Sequence, residues 1–148
     1  MSARRLMLPV RAAALAALFC AAAWSQPSLT LTLSDCDDAA AWTGGELVRE
    51  PVRQGSGAIR WRLAEPQSLG LKQTPGDWSQ FNALVFELYS ERATGSPIWV
   101  IATSENPEQD GPDYYCVTLK LDFEGWQRIV LPFDEIRPVR HPLGWHSI

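Results

Sequence analysis

The sequence predicts an all-β protein, an antiparallel β-sandwich, and three observations predict it. Turn chemistry breaks the chain at short intervals: Gly44-Gly45, Gly55-Ser56-Gly57, Pro75-Gly76-Asp77, Gly95-Ser96-Pro97, Asp110-Gly111-Pro112 and Glu124-Gly125. The runs between these turns alternate with period two, as strands do when one face meets a core and the other meets water. No run carries an amphipathic helical pattern over three turns.

The elements follow in order. In SLTLTLSDC, Leu29, Leu31 and Leu33 oppose Thr30, Thr32, Ser34 and Cys36. In AIRWRL, Ile59, Trp61 and Leu63 oppose Arg60 and Arg62. NALVFELYS sets Leu84, Phe86 and Leu88 against Ala83, Val85, Glu87 and Tyr89. PIWVIATS is apolar on both faces and reads as a central strand, with Trp99 buried. YYCVTLKLDF sets Tyr115, Val117, Leu119, Leu121 and Phe123 against Tyr114, Cys116, Thr118, Lys120 and Asp122. Asp122 to Gly125 then reads as the turn between two antiparallel strands. Beyond it Gln127, Ile129, Leu131 and Phe133 alternate with Trp126, Arg128 and Val130, and Pro132 ends the pairing.

The N-terminus reads as a processing segment. Arg4 and Arg5 precede an uncharged Ala/Leu-rich run, Ala12 to Trp24, of 13 residues. A membrane span needs about 20 apolar residues, so this run fits the core of a secretory signal peptide over 1–25. Cleavage after Ser25 or Ala23 suits the small-residue rule. Cys20 follows Phe19, where a lipoprotein signal wants a small residue. The expected location is secreted or periplasmic, with no membrane attachment after cleavage. The segment 26–148 has the length of one domain.

Removing the signal takes three of the 13 basic residues and none of the 17 acidic ones, leaving a formal charge of −7. That excludes nucleic acid and anionic lipid as expected partners, since both need a basic surface. It weighs against strongly anionic glycans unless basic residues cluster locally. Two cysteines, Cys36 and Cys116, remain, and in an oxidising compartment they form either one disulfide or two separate buried thiols. Their spacing matches no zinc motif, and the only histidines, His141 and His146, lie in the tail.

Four motifs in sequence carry a resemblance: the acidic opening SDCDDAAAWTGG, then GSGAIRWRL, then GDWSQFNALVFELYS, then LDFEGWQRIVLPFDEI. From about Leu29 to Ile148 the chain resembles the galactose-binding-like jelly-roll domains. These occur as carbohydrate-binding modules and as N-terminal accessory domains of secreted polysaccharide lyases and glycoside hydrolases. The resemblance implies a polysaccharide or oligosaccharide as ligand, or a catalytic domain as partner with no sugar binding of its own. Similar domains continue past a segment like PLGWHSI with one or two more strands. The expectation is therefore a sandwich lacking its last strands, with an open edge.

Such domains often hold a structural calcium between the first strand's acidic residue and a Gly-rich loop. Asp35, Asp37 and Asp38 are the candidates, because calcium wants hard oxygen ligands. By motif position Asp37 would supply a carboxylate, with Asp35 beside it, and the Gly55 to Gly57 turn would supply carbonyls. The alternative is that these aspartates cap a turn.

Aromatic rings stack on the apolar C–H face of a sugar, provided they are exposed. Trp42, Tyr114 and Trp145 lie in turns or at strand ends, where binding loops sit, and are the aromatic ligand candidates. Trp61 and Trp78 read as structural, and Trp126, directly after a hairpin glycine, as a fold marker. The polar strand faces carry Arg60, Arg62, Glu87, Tyr89, Thr118 and Lys120, a hydrogen-bonding surface if their strands are neighbours. The alternative is a solvated face with cross-strand pairs such as Glu87 with an arginine. Catalysis finds no motif: there is no G-x-S-x-G and no H-E-x-x-H, and Asp134-Glu135 would point apart on a strand, whereas a glycosidase pair shares one bond. The chain is expected not to be an enzyme.

Overall fold

The computed structural model describes residues 29–62 and 68–148. The signal segment and Leu63 lie outside these. Among the described residues the chain is all-β and antiparallel. One 3-10 turn, Ala39–Ala41, precedes β1 (Trp42–Thr43), β2 (Glu46–Val48), β3 (Ala58–Arg60), β4 (Gly70–Leu71), β5 (Ala83–Ser90), β6 (Pro97–Thr103), β7 (Tyr114–Lys120), β8 (Gly125–Pro132) and β9 (Arg137–Val139). No described helix is long and apolar enough to cross a membrane.

Two sheets carry the fold. β5 pairs with β8 over its full length, from Ala83 opposite Pro132 to Ser90 opposite Gly125. β6, β7 and β9 form the second sheet in that order. β1–β4 and β2–β3 are short separate ribbons. Alternation decides which side chains turn inward. Leu84, Phe86, Ile129 and Leu131 of the first sheet and Val100, Ala102, Tyr115, Val117 and Leu119 of the second gather on one sandwich-like core.

The centre of that core is aromatic. Trp78, Leu131, Phe133 and Ile136 are buried together, and each such side chain contributes about 1.5–3 kcal/mol by leaving water. Trp78 is fixed at both polar ends: its indole N–H donates to Pro75 O at 2.7 Å, and its backbone N–H donates to Trp145 O at 2.7 Å. Trp145 lies between Tyr115, at 4.1 Å between ring centres, and Phe133, at 4.0 Å.

Three elements depart from the sequence expectation. The run 29–36 forms no strand; Leu29 and Leu31 are exposed, and Leu33 alone packs on the core. Period-two alternation makes a strand possible, but a strand also needs a partner edge. The chain turns away at Cys36, whose φ is +64° and whose N–H donates to Ser34 Oγ at 3.0 Å. β6 is an edge strand rather than a central one, because β7 is its only neighbour among the described residues. No described residue covers its second apolar face. Finally, Asp122 to Gly125 is not a hairpin turn. β7 pairs with β6 and β9 while β8 pairs with β5, so this segment crosses between sheets. Gly125 enters β8 with φ +82°, a left-handed conformation that glycine adopts without steric cost.

Candidate functional site

The outer face of the β6–β7–β9 sheet is built by the residues that alternate with the core set. Val100 and Ala102 turn inward, so Trp99 and Ile101 turn out. Trp99 stands opposite Thr118, and Ile101 opposite Cys116, which in turn faces Arg137 on β9. Lys120 ends the row on β7, opposite Pro97. Trp99 is 72% exposed and Ile101 49%. β9 starts only at Arg137, so among the described residues β7 beyond Cys116 has no partner on that side. There a depression of about 300 Å³ opens, lined by Cys116, Val117, Thr118, Glu135 and Arg137. Burial pushes the Cys116 thiol above its usual range. The face therefore offers one open indole, a hydroxyl directly across from it, and two cations near it. That combination can hold a flat ring with an apolar face and a polar rim.

The other sequence candidates fall in separate places. Arg60 and Arg62 both pair with Glu46, at 3.5 and 3.1 Å, beside a shallow depression of about 190 Å³ next to Gly45. Glu87 and Tyr89 lie on the outer face of the β5–β8 sheet. There Glu87 takes Arg128 at 3.4 Å and Arg53 at 3.9 Å, and Tyr89 meets the edge of Trp126 at 5.3 Å. Tyr114 is half-buried at the start of β7, opposite Val139, and Trp42 is half-buried in β1. The single hydrogen-bonding surface expected from Arg60, Arg62, Glu87, Tyr89, Thr118 and Lys120 is thus spread over three elements. Only Thr118 and Lys120 meet the exposed tryptophan. Trp145 is a core residue rather than a platform, since Tyr115 and Phe133 cover both faces of its indole.

The acidic opening folds as a set of turn caps. Asp35 Oδ1 accepts from Asp37 N at 3.1 Å, and Asp38 Oδ1 accepts from Ala40 N at 2.7 Å. Asp37 does reach the Gly55–Gly57 turn, as motif position implied, but it meets donors there. Its Oδ1 accepts from Ser56 N at 2.9 Å, and that bond, before the lesser help of Gly57 and the Arg49 guanidinium, holds its carboxyl below the usual range. Arg49 in turn donates to Ser56 O at 2.7 Å. Donors and a guanidinium around a carboxylate are the opposite of the oxygen shell calcium takes. On these contacts the residues present do not fit that ion. Cys36 and Cys116 are free thiols here, so the disulfide alternative is not formed; Cys36 sits in the opening loop and Cys116 on the outer face of β7.

Two polar residues that the sequence did not single out are almost wholly buried. Asp113, 0% exposed, accepts from His141 N at 2.8 Å and has Arg140 Nε at 3.8 Å. Ser104, at the end of β6, accepts from Gly144 N at 3.2 Å and donates to Gly144 O at 3.1 Å. Together they pin the segment after β9 to the β6–β7 connection. Trp99 was also missed. Its signal is the same alternation: a strand apolar on both faces is either central or an edge with one open apolar face, and one strand alone does not separate the two. No protein-family model, curated protein or solved structure matches this chain.

Proposed function

We propose that this chain is a secreted, non-catalytic carbohydrate-binding or accessory module of the galactose-binding-like jelly-roll type. The observation that carries the reading is Trp99, an open indole on a flat sheet face with Thr118 opposite and Lys120 and Arg137 near it. A sugar ring would lie on the indole with its hydroxyls turned to these polar groups. The site is shallow, so affinity is modest. A glycan array of neutral and acidic polysaccharides, probed with the chain and with Trp99→Ala, tests it. Binding should fall at least about tenfold in the variant, the equivalent of about 1.4 kcal/mol, with the melting temperature unchanged. Silence of the unaltered chain across the array, or equal binding by the variant, overturns the reading.

A second reading has its own observation. Val85 and Val130 face each other across β5 and β8 and are 42% and 52% exposed. An apolar pair on an open sheet face favours packing against a catalytic domain of a polysaccharide lyase or glycoside hydrolase. The array separates the two, because a purely structural domain binds no glycan.

A further inference from the structure

We infer that the glycan taken by the Trp99 face is acidic, a polymer carrying uronic carboxylates, with Lys120 and Arg137 as its counter-charges. This rests on the reading that the face binds a glycan at all.

The argument starts from how the cations are used. Arg53 and Arg128 are taken by Glu87, Arg60 and Arg62 by Glu46, and Arg140 by Asp113. Arg49 and Lys72 donate to the carbonyls of Ser56 and Ala40. Among the described residues, three basic side chains make no hydrogen bond or ion pair: Arg92, Lys120 and Arg137. Two of these three stand on the one face that also carries the open indole.

Among the described residues no carboxylate forms an ion pair with them. The outward positions of β6, β7 and β9 hold no Asp or Glu. Glu135, at the rim of the depression, makes no ion pair with Arg137. In a processed chain of formal charge −7 the paired strand positions of this face thus carry two positive charges and no negative one, with Glu135 and Asp122 just beyond the strand ends. The geometry suits an extended polyanion. Lys120 is the diagonal cross-strand neighbour of Trp99, about 7–8 Å away. Arg137 lies two strands over from Ile101, about 10 Å across the sheet. Both cations therefore lie on the β7–β9 side of the indole, one toward each end of the strand, so that a ring stacked on Trp99 sends its own or its neighbours' carboxylates toward them. Arg137 brings a planar fork that matches a carboxylate in bidentate fashion. A neutral glycan would use the indole and Thr118 and leave both cations in water.

The test is titration calorimetry of the chain with polygalacturonate, alginate, fully methyl-esterified polygalacturonate and a neutral β-glucan. Esterification removes the charge and keeps the backbone. At least one of the two uronate polymers should bind about tenfold or more tighter than both the ester and the glucan. The double variant Lys120→Gln/Arg137→Gln should lose that preference while its melting temperature stays unchanged. Trp99→Ala should weaken every ligand. Equal affinity for acid and ester, or a double variant that keeps the preference, sinks the acidic assignment and leaves the glycan reading standing. No heat with any of the four polymers removes both.

Discussion

At the scale of single residues, Asp37 shows how a surface carboxylate can organise a loop without a metal. The Ser56 N–H is the main reason its carboxyl lies below the ordinary aspartate range. A carboxylate whose folded pKa lies below its unfolded one stabilises the fold at pH above the unfolded value, about 3.9. That contribution disappears as pH falls through the folded value. Asp77 follows the same rule, lowered by the Ser79 hydroxyl and N–H. Asp37→Ala should therefore lower the thermal midpoint at pH 7, and the gap to the unaltered chain should narrow and close as acid takes the pH below the folded value. Melts followed by circular dichroism at neutral and acid pH read this directly.

At the scale of elements, the decisive device is the clamp between the β6–β7 connection and the segment after β9. Asp113 receives the His141 N–H from inside the protein, and Ser104 exchanges two hydrogen bonds with Gly144. Neighbouring Trp145 then fills the core from the same segment. Asp113→Ala removes the acceptor of the part-buried His141 N–H and the counter-charge of Arg140, at a cost of about 1 kcal/mol. Urea unfolding should show that loss, and hydrogen exchange should show the His141 amide become unprotected. An unchanged His141 exchange rate would mean that the clamp does not hold the segment. None of this was legible in the sequence. Asp113 sits in a Gly-Pro-Asp stretch that reads as turn chemistry, and burial of a carboxylate depends on a partner 28 residues away. The strands were more legible. β5, β7 and β8 follow their alternation closely, because each has a partner along most of its length. The run 29–36 had equally good alternation and finds no such partner among the described residues.

At the scale of the whole molecule, the core formed by the described residues is thin for their number. Its buried apolar residues centre on Trp78, Leu131, Phe133 and Ile136, while Trp99, Ile101, Val85 and Val130 keep much of their surface in water. The dependence of unfolding free energy on urea scales with the surface exposed on unfolding. The slope should therefore sit at the low end for a small domain, about 1 kcal/mol per molar urea. A slope near 3 would mean that the unaltered chain buries these faces, for instance by self-association along the open edge of β6.

The sequence by itself determined the class of structure, most of the long strands and which of their side chains turn together. Period two and turn chemistry are local properties, and local properties survive in any packing of the strands. The resemblance, rather than any local pattern, implied that Trp78 is structural and that Asp37 lies against the Gly55–Gly57 turn. Tertiary structure alone decided which face of β6 meets the core, and so made Trp99 the open aromatic and Trp145 one packed against the core. It also decided that Lys120 and Arg137, 17 positions apart in the chain, share a face with it. Alternation tells a side chain which neighbours it travels with, but only the packing of one sheet on another tells it whether they travel into protein or into water.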